Sequence, residues 1–507
     1  MTPAATGDDA PEPTSSRSLW RHRDFMLLWT GQAISEIGSA VTIVALPLVA
    51  VVLLKATVFQ VGLLSAATTV CFLIVALPAG LIVDRVDKRR LMIICDIART
   101  LILGSVVAAA AFGVLTMAQL FAVGFLTGLA TVFFDVAYQS YVPELVARDQ
   151  LHDGNGKLGA TQAFSQVAGP GLGSALFGLF KASVMAADAI SYAVSTLTLM
   201  LIRAREPRSA DAVAQGDQAA ATPAPAGFAG LRKEIFAGLR FVFGHRVLRK
   251  IAACTGTANL FGSISGALEI LFLVRVVHVR PADTGLLISV GSLGGILGGI
   301  LAGRLSKWIG TARIIWFSVG VFGAIPILMP LTEPGPRLVL FPIAIAGLSF
   351  TVVLYNIAQL SYRQLICPPQ LLGRMNAAMR WIVWGTIPLG GLLGGVLGSL
   401  IGIRPTLWVG VIGSWAAAFW VFFSPLRKMR DIPSETIQDS ATAPVQPADV
   451  VPASGYAAPP ASADAIPPAS AAADAQQGED DEHDRHGGEN AVADHDGDGK
   501  VPLRRNS

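Results

Sequence analysis

Along most of the chain, apolar runs of about 20 residues alternate with short polar breaks. As an α-helix, a run of that length crosses about 30 Å of hydrocarbon. Twelve such spans are read, at approximately 25–53, 60–83, 91–113, 118–138, 158–180, 184–202, 251–273, 283–303, 311–331, 338–360, 377–400 and 404–424. The first is the longest and contains Pro47, which predicts a bend in that helix.

Basic residues concentrate in alternate connections, and this fixes the expected orientation. Arg85, Lys88, Arg89 and Arg90 lie between spans 2 and 3, and Arg304, Lys307 and Arg313 lie between spans 8 and 9. The opposite side holds mostly single cations such as Lys55, Lys181 and Arg404. The pattern places both termini in the cytoplasm of a bacterial inner membrane. Residues 1–18 are polar and acidic without a signal-peptide layout, and are expected to be disordered.

The polar breaks divide the chain further. Residues 19–203 form one six-helix half and 251–425 the other, joined by a cytoplasmic connection at 204–250. That connection opens with an Ala/Pro/Gln linker. It continues as an amphipathic stretch, 228–250, where Leu231, Ile235, Leu239 and Phe243 recur every four residues beside Arg232, Lys233 and Arg240. This predicts a basic helix on the inner leaflet, with packing against the protein body as the alternative. Residues 426–507 become an Ala/Pro/acidic tail with too few large apolar residues to bury a core. Its "DHDGDGK" resembles half a calcium loop, but Arg505 stands where a bidentate Glu belongs, so no calcium site is expected.

Composition narrows the class. The chain is 52% hydrophobic and 14% charged, against about a quarter charged in soluble domains. Its net charge of +3 carries no nucleic-acid signature. Cys71, Cys95, Cys254 and Cys367 have no metal-ligand spacing and read as small core hydrophobes. No nucleophile elbow, phosphate loop or metal-spaced cluster is found, so neither an enzyme nor a cofactor is expected.

The chain also repeats itself. Two basic-side connections share Leu-x-x-x-Asn before a Gly/Pro-rich helix, at Leu151–Asn155 and Leu372–Asn376, with the asparagines 221 residues apart. "GLIVDRVDKRR" faces "GILAGRLSKWIG" at a similar offset. Six spans per repeat preserve orientation, so the halves are parallel repeats of the kind used by one large transporter fold.

At these residues the chain resembles the major facilitator superfamily, over about residues 20 to 425. Gly80, Asp84, Arg85, Lys88 and Arg89 match the superfamily's loop 2–3 signature, with Asp87 where Gly is usual. "SQVAGPGLGS" is similar to the antiporter signature of exporters through Gly169, Pro170 and Gly173, although small-residue helix packing explains the same glycines. The span 4 arginine of the drug–proton antiporter signature is missing. Phrases such as "LWRHRDFMLLWTGQAISEIG" and "GRMNAAMRWIVWGTIPLGGLLGG" resemble the branch containing macrolide efflux proteins and the enterobactin exporter. The resemblance implies an all-α fold of twelve transmembrane helices and a monomer. It also implies efflux of a small amphipathic molecule, commonly by proton antiport. An importer of the same fold and a non-transporting sensor or scaffold are the alternatives.

Ionisable groups inside spans are candidate functional residues because burying them is costly. Glu36, with Gln32 and Ser35 close by on span 1, is a candidate proton carrier and cation contact. Asp96 and Arg99 share a face of span 3 and, with Asp135, are expected to join the loop 2–3 residues in a conformational latch, Arg85 reaching Asp96 or Asp135. In that reading Asp84 sits at the start of span 11, where the helix dipole favours a carboxylate. Asp188 and Glu269, toward the outer surface, are candidates for proton coupling or substrate contact as part of an extracellular gate, with solvation at the rim as the alternative, and Arg380 is a candidate in the inner cavity or at the interface.

Overall fold

The computed structural model describes residues 19–431 apart from 84, 147–149, 204–235, 237, 368 and 428. The chain divides into two units, Met1–Ala443 and Pro444–Ser507. All helices discussed here belong to the first. The N-terminus, the Ala/Pro/Gln linker, Asp84 and the tail with its Asp-rich segment lie outside the described residues.

The described residues are helical and contain no strand. The first half holds span 1 (Arg23–Leu48, continuing through Val49–Leu53), span 2 (Val58–Ile74 and Ala76–Val83) and span 3 (Lys88–Ala111). Span 4 (Met117–Leu145), span 5 (Leu151–Phe180) and span 6 (Met185–Leu201) complete it. The second half holds span 7 (Leu248–Arg275), span 8 (Pro281–Ile309) and span 9 (Arg313–Val321, then Phe322–Leu331). It ends with span 10 (Leu340–Ile366), span 11 (Pro369–Ile401) and span 12 (Ile403–Ala416 and Ala418–Phe422). Among the described residues ten helical segments are individually long and apolar enough to cross a membrane. Spans 5 and 6 share one of those segments, and span 2 falls short only because it breaks at Val75, so twelve passes result.

Local chemistry explains where these helices start and break. Thr57 and Gln60 form a reciprocal capping box at the start of span 2, with bonds of 3.3 and 2.8 Å. Asp87 caps span 3 by accepting from the Arg90 N–H at 2.8 Å. The acidic residue that departs from the loop signature is therefore a helix start. Pro78 has no N–H to offer, and span 2 breaks three residues before it. Pro47 precedes a π-helical turn, Val49–Leu53, which is the form the expected bend takes. Pro326 and Pro330 tighten span 9 into a 3₁₀ helix.

Backbone conformation records the internal repeat independently of side chains. The turns away from the basic connections contain left-handed residues at Lys55, Gly113 and Lys181 in the first half. They recur at His278, Gly335 and Gly402 in the second, 223, 222 and 221 residues later. Gly62 and Gly285 are likewise 223 residues apart, and both serve contacts between the halves. A Cβ on Gly62 of span 2 would lie 2.3 Å from the Gly395 Cα of span 11, and one on Gly285 of span 8 would lie 1.8 Å from the Pro170 carbonyl of span 5. Spans 2 and 11 and spans 5 and 8 thus pack backbone to backbone, the geometry small residues permit between membrane helices.

The halves are joined unequally at their two ends. Away from the basic connections, one apolar core takes residues from both: Val49, Ala50 and Ala56 with Phe272, Leu273 and Val277. There the Arg275 guanidinium donates to the Ala56 carbonyl at 2.6 Å. At the basic end the cores are separate, one around Phe25, Met92 and Tyr141, the other around Ile251, Tyr362 and Met375. Between them Gln139, Arg380, Trp381 and Trp384 stay exposed. The described part of the amphipathic connection is helical at 238–244. Val242 and Val247 enter the second half's core, while Phe236 and Phe243 remain exposed.

Candidate functional site

A cavity of about 540 Å³ lies between the halves, walled by spans 1 to 6 on one side and 7 and 8 on the other. Most of its wall is aliphatic, from residues such as Val44, Leu64, Leu103 and Ile288. Hydroxyls interrupt it: Ser65, Thr68 and Thr69 on span 2, Thr127 and Thr131 on span 4. Two carboxylates face it, Asp188 from the first half and Glu269 from the second, and its described lining contains no Lys or Arg.

The two carboxylates are held differently. Asp188 is fully buried and accepts from Thr42 Oγ1 at 2.5 Å and from Ser191 Oγ at 3.0 Å. Span 6 reaches that position because Gly38 of span 1 leaves room: a Cβ there would lie 2.5 Å from Asp188 Oδ1. On span 7 the Glu269 Oε1 atom is buried and has no hydrogen-bond partner among the described residues. That oxygen is an acceptor in the cavity wall that no described protein donor uses. Both candidate acids thus line the central cavity.

A smaller cleft of about 110 Å³ lies toward the basic end. Asp135 of span 4 and Arg380 of span 11 line it from opposite halves, with Phe72, Trp381 and Trp384. The Phe72 and Trp384 rings lie 4.9 Å apart with their planes tilted by 43°, and Phe72 also lines the larger cavity. Arg380 is exposed; its Nη1 donates to Gln139 Oε1 at 3.3 Å, and its guanidinium lies 5.9 Å from the Trp384 ring centre.

Behind Tyr192 of the cavity wall sits a buried ion pair. Asp96 and Arg99 bond directly across one turn of span 3, both out of contact with solvent. The guanidinium is sandwiched between the rings of Phe134 and Tyr192, at 4.3 and 4.2 Å. Tyr192 in turn bonds Ser39 of span 1 at 2.8 Å. Glu36 is half-buried, accepts from Gln32 Nε2 at 3.0 Å and feels the Arg99 charge. Ser35 beside it is buried.

The loop 2–3 residues do other work in this conformation. Lys88 pairs with Glu144 at the end of span 4. Arg89 donates to the Leu199 and Met200 carbonyls, both at 2.8 Å, where span 6 ends and its dipole is negative. Arg85 is exposed and does not meet Asp96, whose partner is Arg99. Gly80 lies in the last helical turns of span 2 with open space around it. The Gly-Pro stretch of span 5 packs on two sides. Gly169 and Gly173 abut Ala40 and Val41 of span 1, while the Gly171 N–H donates to Ser289 Oγ of span 8 at 2.7 Å.

Sequence reasoning did not single out Ser39, Thr42 or Tyr192. A signal existed: Asp188, Ser191, Tyr192 and Ser195 form a stripe at helical spacing, and Gly31 and Gly38 of span 1 match its pitch.

Two parallel six-span halves around a central cavity, closed at one end and cleft at the other, define a membrane transporter rather than an enzyme. The sequence matches the family model "Major Facilitator Superfamily" over residues 28–388, and the chain belongs to that superfamily. It is 25% identical over 388 residues to "Macrolide efflux protein A" of Streptococcus pyogenes, covering 75% of this chain and 90% of that protein. It is 26% identical over 381 residues to "Multidrug efflux pump Tap" of Mycolicibacterium fortuitum, covering 73% and 88%. The fold is shared with the nucleoside transporter NupG at a TM-score of 0.63 and 12% identity, covering 80% of this chain and 99% of that one.

Proposed function

We propose that the chain exports small amphipathic cations by alternating access, using the proton gradient of a bacterial inner membrane, and that it works as a monomer. One observation carries the choice of cargo. The cavity is mostly aliphatic, yet it presents a carboxylate from each half and, among its described lining residues, no basic side chain. Apolar surface favours a hydrophobic body, and Glu269 Oε1 offers an unspent acceptor for a protonated amine. The relatives named for macrolide and multidrug efflux support export.

The basic connections face the cytoplasm in this reading, as does each terminus. The conformation described is then the one that loads cargo from inside, with its cleft toward the cytoplasm and its periplasmic end sealed by Phe272 and Val277. Closing the cleft would bring the loop 2–3 residues, including Asp84, toward span 11.

Radiolabelled erythromycin, an amphipathic amine, tests the proposal against chloramphenicol, which is uncharged. Expressing cells should retain less erythromycin than control cells and equal chloramphenicol. Collapsing the proton gradient should abolish the difference. Equal retention of both compounds with and without the protein refutes an amine exporter, and higher erythromycin retention identifies an importer.

A further inference from the structure

Arg99 is a buried cation with several acids around it. Asp96 bonds it directly, and Glu36, Asp135 and Asp188 all feel its charge. Those four carboxylates come from spans 1, 3, 4 and 6. Cys95, Tyr138 and Tyr192 are the other titratable groups of the cluster, and Arg380 acts on Asp135 from across the cleft. Asp96 and Asp188 are fully buried, whereas Glu36 and Asp135 are half-buried. Uncompensated charge on a fully buried carboxylate costs several kcal/mol, and a proton there relieves that cost.

The ion pair is also incompletely satisfied. Asp96 Oδ2 and Arg99 Nε are buried and lack hydrogen-bond partners among the described residues. Oδ2 is sealed from solvent, and Ser195 of span 6 also reaches the Asp96 carboxyl. Its position matters as much. Arg99 stacks on Phe134, the neighbour of Asp135 in the cleft wall, and on Tyr192, which lines the cavity beside Asp188. Through Tyr192 the pair adjoins the cavity, and through Phe134 it touches the helix that carries Asp135.

We infer that the Asp96–Arg99 pair is the proton-coupling site of the first half, with Arg99 as the positioning residue shared among the four carboxylates. This rests on the reading of the chain as a proton-driven exporter. A proton entering from cleft water by way of Asp135 forms an O–H bond at Asp96 Oδ2. The carboxyl becomes neutral, and the Arg99 charge turns to the remaining carboxylates. Asp188 then holds less free negative charge for a cationic cargo. Loss of the proton restores the pair. Proton occupancy and cargo charge are thereby made to alternate without a direct contact between Asp96 and cargo.

The test needs no cargo. Spin labels at Arg90→Cys and Gln364→Cys, both exposed at the basic ends of spans 3 and 10, report the width of the cleft; the four native cysteines are buried. In the purified full chain in lipid, the distance distribution should move as pH goes from mildly acidic to mildly alkaline. Asp96→Asn should remove that movement, and Arg99→Lys should keep it with a changed midpoint. If Asp96→Asn does not fold, Asp135→Asn at the half-buried cleft position should blunt the same response. A wild-type distribution indifferent to pH, or an Asp96→Asn or Asp135→Asn response equal to wild type, overturns the inference. Failure on erythromycin would instead strike the exporter reading, so the two outcomes are separable.

Discussion

Glu269→Gln isolates the charge of the cavity with minimal change of shape. Among the described residues Oε1 accepts no hydrogen bond, so its interaction capacity is free for cargo. A hydrogen bond to a charged group is worth about 1.5–3 kcal/mol. At about 1.4 kcal/mol per decade, that converts to a loss of roughly 10- to 150-fold in affinity for an amine. The substitution also removes an isolated buried carboxylate, so the protein should be no less stable. Equilibrium binding of erythromycin to purified protein measures the loss directly, and chloramphenicol supplies the uncharged control. Erythromycin affinity should fall within that range while chloramphenicol binding is unchanged. An unchanged erythromycin affinity refutes the role of the carboxylate. An equal loss for both compounds means that the glutamate shapes the cavity and does not select charge.

Three further outcomes follow from other parts of the structure. Gly285→Leu places its side chain where a Cβ already lies 1.8 Å from the Pro170 carbonyl, so overpacking of about 1–3 kcal/mol or more should lower the thermal unfolding temperature in detergent. Asp87→Ala removes the cap of span 3 and should cost about 0.5–2 kcal/mol in the same assay, with Asp87→Asn close to wild type. Arg275→Ala deletes the bond to the Ala56 carbonyl that ties the halves together at their sealed end. It should shift the label distances between spans 3 and 10 toward the closed-cleft form, and an unchanged distribution would mean that the bond does not bias the equilibrium.

The architecture was legible because its signals are long. Twenty-residue apolar runs and a repeat of about 221 residues survive any local irregularity. The repeat even reaches the backbone, where Lys55 and His278, or Lys181 and Gly402, adopt left-handed conformations at matched turns. Single side chains were less legible. Asp188 and Glu269 were candidates as ionisable groups near helix ends, but what holds Asp188 at the cavity, the close approach of span 6 to Gly38, is a tertiary contact. Asp96 and Arg99 were recognisable as a pair from their spacing. That Phe134 and Tyr192 from two other helices enclose the guanidinium depends on tertiary packing, which no local pattern encodes. The role of Asp87 was hidden for the opposite reason: it is a local cap within a segment read for its long-range signature.

The most direct test of the account is erythromycin uptake by membrane vesicles of defined orientation, energised by respiration. Everted vesicles containing the protein should accumulate erythromycin above protein-free vesicles, and dissipating the proton gradient should release it. Accumulation in right-side-out vesicles instead, or none in either orientation, would contradict an exporter of amphipathic cations.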